Sequence, residues 1–89
     1  MAVTVQVTTL RRLRKAHDLT AAEAAAKAGI SEGYWLELEA GQRLGMPGKL
    51  QQIADAFELE YYDVVLIVRK SWELAQRRAE RNGDGGSNK

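Results

Sequence analysis

The sequence predicts an all-α domain of five helices, and three observations carry that expectation. Apolar residues recur at helical spacing, as Leu10 and Leu13, Trp35 and Leu38, then Leu50, Ile53, Ala54 and Phe57. Helix starts and stops are written out at Thr20, Gly29 and Ser31. The segment from Tyr61 to Arg81 ends in SWELAQRRAER, which favours one long closing helix. At 89 residues the chain can build one modest core and no second domain.

Residues 1–7 come first. Val3, Val5 and Val7 alternate with Thr4 and Gln6, which is strand periodicity. A lone strand is unstable, so this arm is either a flexible leader or a strand added to a partner subunit. Thr8 or Thr9 caps the first helix, and Leu10 and Leu13 form its buried stripe. Arg11, Arg12, Arg14 and Lys15 crowd the rest, as a solvated charged face or as phosphate contacts. His17, the single histidine, sits near the helix end, where a partly positive imidazole suits the dipole.

The stretch from Leu19 to Arg43 organises everything else. Thr20 with Glu23 three residues on makes a T-x-x-E capping box. The alanines from Ala21 to Ala28 extend that helix at little entropic cost. Gly29 stops it, since glycine accepts the left-handed conformation of a helix end. Only Ile30 intervenes before Ser31 caps the next helix, which carries Trp35 and Leu38 on one face and ends at Gly41. Two helices this close, joined through a glycine turn, match the helix-turn-helix pattern.

Gln42–Met46 reads as a loop, and Pro47 enters the fourth helix at its first turn, where its missing N–H is harmless. In the fifth segment Tyr61, Val64, Val65, Val68 and Trp72 share one helical face. Leu66 and Ile67 make Val64–Val68 apolar all round, more than one small core needs. The run DVVLIV also has strand composition. Val64, Leu66, Ile67, Val68 and Trp72 are therefore expected to form a homodimer contact. From Asn82 the chain is glycine-rich and polar, and residues 82–89 are expected to be a disordered tail. The expected organisation is an arm at 1–7, a helix-turn-helix domain at 8–60, a closing helix at 61–81, and that tail.

Leu10-Arg11, Leu13-Arg14, Leu19-Thr20, Glu23, Ala25, Gly29-Ile30-Ser31, Trp35, Leu38-Glu39, Gly41, Leu50, Ile53-Ala54 and Phe57 fall on one register. It resembles that of the phage repressor and Cro-like (XRE-type) DNA-binding domains, over roughly residues 8 to 65. The resemblance implies a repressor-like five-helix fold and a sequence-specific, DNA-binding transcriptional regulator acting as a homodimer. It places Glu32, Gly33, Tyr34 and Glu37 at base edges, because the second helix of the motif enters the major groove. It places Thr20, Ala21 and Arg43 near phosphates, with Arg11 and Arg14 added from the basic first helix. Ala21 stands where the family commonly has glutamine. Ala24 and Ala28 are smaller than usual and Trp35 larger, which suggests one ring filling the space two alanines vacate.

Charge placement opposes a simple DNA reading. Residues 1–30 hold five basic and two acidic side chains, residues 31–63 two and seven, and residues 64–89 six and three. The net charges are +3, −5 and +3, giving +1 for the chain. A nucleic-acid partner normally meets a continuous basic face. Glu32 could merely favour the helix dipole and Glu37 could be solvated, or either could accept from cytosine N4. The alternative function is a protein-interaction module, whose acidic third helix docks a basic partner.

Enzymatic readings lack parts. There is no cysteine, only one histidine, and no glycine-rich phosphate loop before a strand. Glu37 and Glu39 lie two apart on a helix and diverge. No catalytic residue, metal or cofactor is expected. No stretch reaches the roughly 20 apolar residues of a membrane span, and no long apolar leader opens the chain, so a cytoplasmic protein is expected.

Overall fold

Helix starts follow the side chains that can accept from a first-turn amide. In a computed structural model, which describes the backbone of residues 8–87 and the side chains of residues 8–80, Thr9 opens α1 (Leu10–Ala16) by accepting from the Arg12 N–H at 3.2 Å. Thr20 opens α2 (Ala21–Ala28) by accepting from the Glu23 N–H at 3.1 Å. The Glu23 carboxylate accepts the Thr20 N–H in return at 2.9 Å, which completes the capping box. Ser31 accepts from the Tyr34 N–H at 3.1 Å and opens α3 (Glu32–Glu39). Pro47 is the first residue of α4 (Pro47–Phe57), which has no side-chain cap. The last helix, α5, runs Tyr61–Ser87. No strand occurs among the described residues, and DVVLIV is helical. The Val3–Val7 segment lies outside them.

One core joins all five helices. Leu10 comes from α1, Ala24, Ala25 and Ala28 from α2, Trp35 and Leu38 from α3, Leu50, Ile53, Ala54 and Phe57 from α4. Trp35 is fully buried, and its ring lies 5.9 Å from that of Phe57. Ala24 and Ala28 are buried in the same cluster, as expected of a large ring set among small side chains.

The dimer contact expected on α5 needs correction. Val64, Ile67 and Val68 are 0–1% exposed and form, with Ser71, the stripe that α5 lays on its own domain. A helix 2 built of alanines supplies little volume, so α5 must fill the core. Leu66 and Trp72 are half-buried on its flanks. The helix also passes the expected end at Arg81 and continues to Ser87, through the glycine-rich stretch read as a disordered tail. Extending an existing helix costs far less than nucleating one.

Two long-range contacts fix α5. The Ser71 hydroxyl, 4% exposed, accepts from the Leu10 N–H at 3.1 Å and donates to the Ile67 carbonyl at 3.2 Å. It thereby satisfies an orphan amide of α1 from the far end of the chain. Gly41 sits against α5 so closely that a methyl group there would stand 2.7 Å from the Ser71 carbonyl oxygen.

Candidate nucleic-acid interface

The α2–turn–α3 unit is held from both sides. Gly29 ends α2 at φ +75, and the Ile30 N–H donates to the Ala25 carbonyl at 3.0 Å. From α4, the Gln52 amide donates to the Ala28 and Gly29 carbonyls at 3.2 and 3.1 Å. These bonds satisfy α2's terminal carbonyls and pin the turn. Trp35 and Leu38 face inward, which leaves Glu32, Gly33, Leu36 and Glu37 on the outer face of α3. Nothing lies within 4 Å of the position a Gly33 Cβ would take.

The loop after α3 is built on Tyr34. Its hydroxyl accepts the Met46 N–H at 2.8 Å. The Arg43 guanidinium lies 4.8 Å and the Lys49 ammonium 5.8 Å from its ring centre. Arg43 also pairs with Glu37 at 2.8 Å, both side chains being nearly half exposed. Cation–ring attraction and an exposed ion pair therefore converge on one flank of α3.

The residues expected at a DNA surface separate accordingly. Glu32 and Gly33 are exposed at the start of α3, and Glu37 lies one turn further on, beside Arg43. Tyr34 is half-buried and holds the loop. Thr20 is exposed, but its amide is occupied by Glu23, and Ala21 is partly packed on the core. Arg11 is exposed on α1.

Arg14 as a phosphate contact is corrected. Its guanidinium donates to both Glu39 carboxylate oxygens, at 2.5 and 3.2 Å, and to the Leu19 carbonyl at 3.0 Å. Trp35 donates its indole N–H to the same carboxylate at 2.5 Å. The Arg14 and Glu39 side chains are only 15% and 10% exposed. The hydrogen bonds to Glu39 raise the Arg14 pKa, and the Glu39 charge adds to them against the opposing effect of burial. This ion pair ties α1 to α3 and occupies the Arg14 guanidinium within the fold.

Three features escaped the sequence reading. Leu36 is 45% exposed on α3, a position that its offset from the Trp35–Leu38 stripe could have shown. Lys49 belongs to the Tyr34 cluster, and Gln52 pins the turn. Their partners lie 15 or more residues away, with no local signal to mark them.

Two short helices joined by a glycine turn, the second with its first two residues exposed, define a helix-turn-helix protein. The chain belongs to the helix-turn-helix domain family, whose model it matches over residues 7–61. No curated protein and no solved structure matches it. Among the described residues no helix is long and apolar enough to cross a membrane, and no group of His, Cys, Asp and Glu could hold a metal ion.

Proposed function

We propose that the protein is a sequence-specific regulator of transcription, of the phage repressor, Cro or antitoxin-autoregulator type, that binds duplex DNA as a homodimer. One observation carries this reading. The α2–turn–α3 unit is capped at both helix starts, pinned by Gln52, and exposes Glu32 and Gly33 at the start of α3. A rigid helix with an exposed start is what a major groove admits. Glu32, Gly33 and Leu36 form the face offered to base edges. Leu36 suits a thymine methyl, Glu32 a cytosine amino group, and Gly33 a close backbone approach. Arg43 and the exposed Arg11 serve phosphates, which set register without reading sequence.

Two copies would bind through what α5 leaves outside. Tyr62 is 68% exposed, and Val65, Leu66 and Trp72 are half-buried. A two-fold dimer would then read two half-sites about one helical turn apart.

Selection of bound sites from a random duplex pool, followed by binding to the enriched site over a range of salt, tests the reading. A two-fold-symmetric site with salt-dependent affinity supports it. No enrichment and no duplex binding would refute it. The acidic, partly apolar face of Glu32, Leu36 and Glu37 would then be better suited to a basic protein segment.

A further inference from the structure

We propose that Arg43 and Lys49, gathered on the Tyr34 ring, form a two-cation clamp for the phosphodiester backbone, and that Glu37 is its built-in counterion. The inference rests on the duplex-binding reading and takes it one step further. It assigns Lys49 a binding role and moves Glu37 from base reading to control of affinity.

The geometry comes from three segments. Tyr34 and Glu37 belong to α3, Arg43 to the following loop, and Lys49 to the first turn of α4. The Met46 N–H bond to the Tyr34 hydroxyl fixes the ring, so the platform is set before any ligand arrives. Arg43 and Lys49 lie 4.8 and 5.8 Å from one ring centre, so their charges are within about 11 Å of each other. A DNA strand carries one phosphate per about 3.4 Å of rise, so two cations within about 11 Å can engage neighbouring phosphates of one strand. A guanidinium stacked on an aromatic face keeps its edge N–H groups available for an anion.

Two cations over one ring repel each other, and the Glu37 carboxylate at 2.8 Å from Arg43 offsets that repulsion in the free protein. A carboxylate in that place does what a phosphate oxygen would do. Duplex binding must therefore exchange Glu37 for a phosphate on Arg43, and the carboxylate left behind faces the polyanion. Glu37 weakens binding to all sequences by a similar factor and contributes nothing to base choice.

Binding of a short mixed-sequence duplex and of the selected site, followed by fluorescence anisotropy over a range of salt, tests the clamp. Lys49→Ala should lower the slope of log affinity against log salt by about one unit, and Arg43→Ala should do the same. Glu37→Gln should tighten every duplex alike, by up to about fivefold, the usual scale for an exposed ion pair. Circular dichroism of each variant over the same salt range checks that its folded fraction stays constant, so that the slope reports phosphate contacts alone. An unchanged slope for Lys49→Ala, with the parent protein binding normally, overturns the clamp. A Glu37→Gln change confined to one base position would return that carboxylate to base reading and overturn its role as counterion. Failure of the parent protein to bind any duplex would refute the regulator reading and this proposal together.

Discussion

Replacing Gly41 with alanine should be among the most damaging single-methyl additions in the molecule, and its cost can be worked from the structure. Gly41 has φ +75, a left-handed conformation that costs an L-residue about 1–2 kcal/mol. The added Cβ would lie 2.5 Å from the Ala75 Cβ, 2.7 Å from the Ser71 carbonyl oxygen and 3.2 Å from the Trp72 Cα. Two of those three atoms are α5 backbone and cannot swing aside, so α5 must shift, and such overpacking costs about 1–3 kcal/mol. Together the effects come to about 2–5 kcal/mol, against the roughly 5–15 kcal/mol that holds a small domain folded. Urea denaturation followed by circular dichroism should show a lower midpoint with an unchanged slope. Gly29→Ala is the internal control. It has the same φ, but its nearest neighbour is the Gln52 side-chain amide at 3.2 Å, so only about 1–2 kcal/mol should be lost. If Gly41→Ala costs no more than Gly29→Ala, α5 is not seated against the end of α3 as described.

The other predictions use the same fold. Trp35→Ala should cost about 3–5 kcal/mol in a denaturant melt, because the fully buried ring leaves a cavity beside Phe57. A loss below 1 kcal/mol would mean that the ring is not enclosed. Glu39→Ala should cost about 1.5–3 kcal/mol, since the Trp35 indole loses its acceptor and the Arg14 guanidinium keeps only the Leu19 carbonyl. Glu39→Gln should recover part of that loss by restoring a neutral acceptor, and equal losses for the two variants would argue against the shared carboxylate. Leu66→Lys should turn the proposed dimer into a folded monomer by light scattering, whereas Ile67→Lys, at 1% exposure, should unfold the chain. A parent protein already monomeric at high micromolar concentration would remove the dimer.

The local chemistry of the fold was legible in the sequence because its causes lie within a few residues of their effects. Thr20 with Glu23, Gly29, Ser31 and Pro47 mark helix ends through bonds or dihedrals spanning one turn of chain. Trp35 could be placed in the core because its neighbour in period, Leu38, shares its face. The contacts that join helices were not legible. Ser71 caps α1 from 61 residues away, and Arg14 meets Glu39 across 25, with nothing nearby to select either partner. The run Val64–Val68 shows the limit most clearly. Periodicity identifies apolar residues that must be covered, but it cannot say whether a second copy or the chain's own core covers them. Here the small side chains of α2 leave room that α5 fills.

The charge pattern counted along the chain also changes once side chains are paired. The middle third, residues 31–63, has a net charge of −5, and three of its acidic residues lie on α3. Glu39 is nearly buried and is matched by Arg14, which comes from the basic first third. Glu37 is matched by Arg43. Glu32 remains at the start of α3, where a negative charge is favoured by the helix dipole. Asp55, Glu58, Glu60 and Asp63 lie at the far end of α4 and the start of α5. Along α4, Asp55 lies about 9 Å and the C-terminal end about 12 Å beyond Lys49, at or past the screening length of about 8 Å at physiological salt. What a duplex would meet on this flank of α3 is therefore set by Glu32, the Glu37–Arg43 pair and Lys49, and not by the sum over the segment. Net charge counted along a chain treats an internally bonded arginine and a surface arginine alike. In this fold that distinction separates Arg14, held with Glu39 between α1 and α3, from Arg43, whose ion pair lies at the surface.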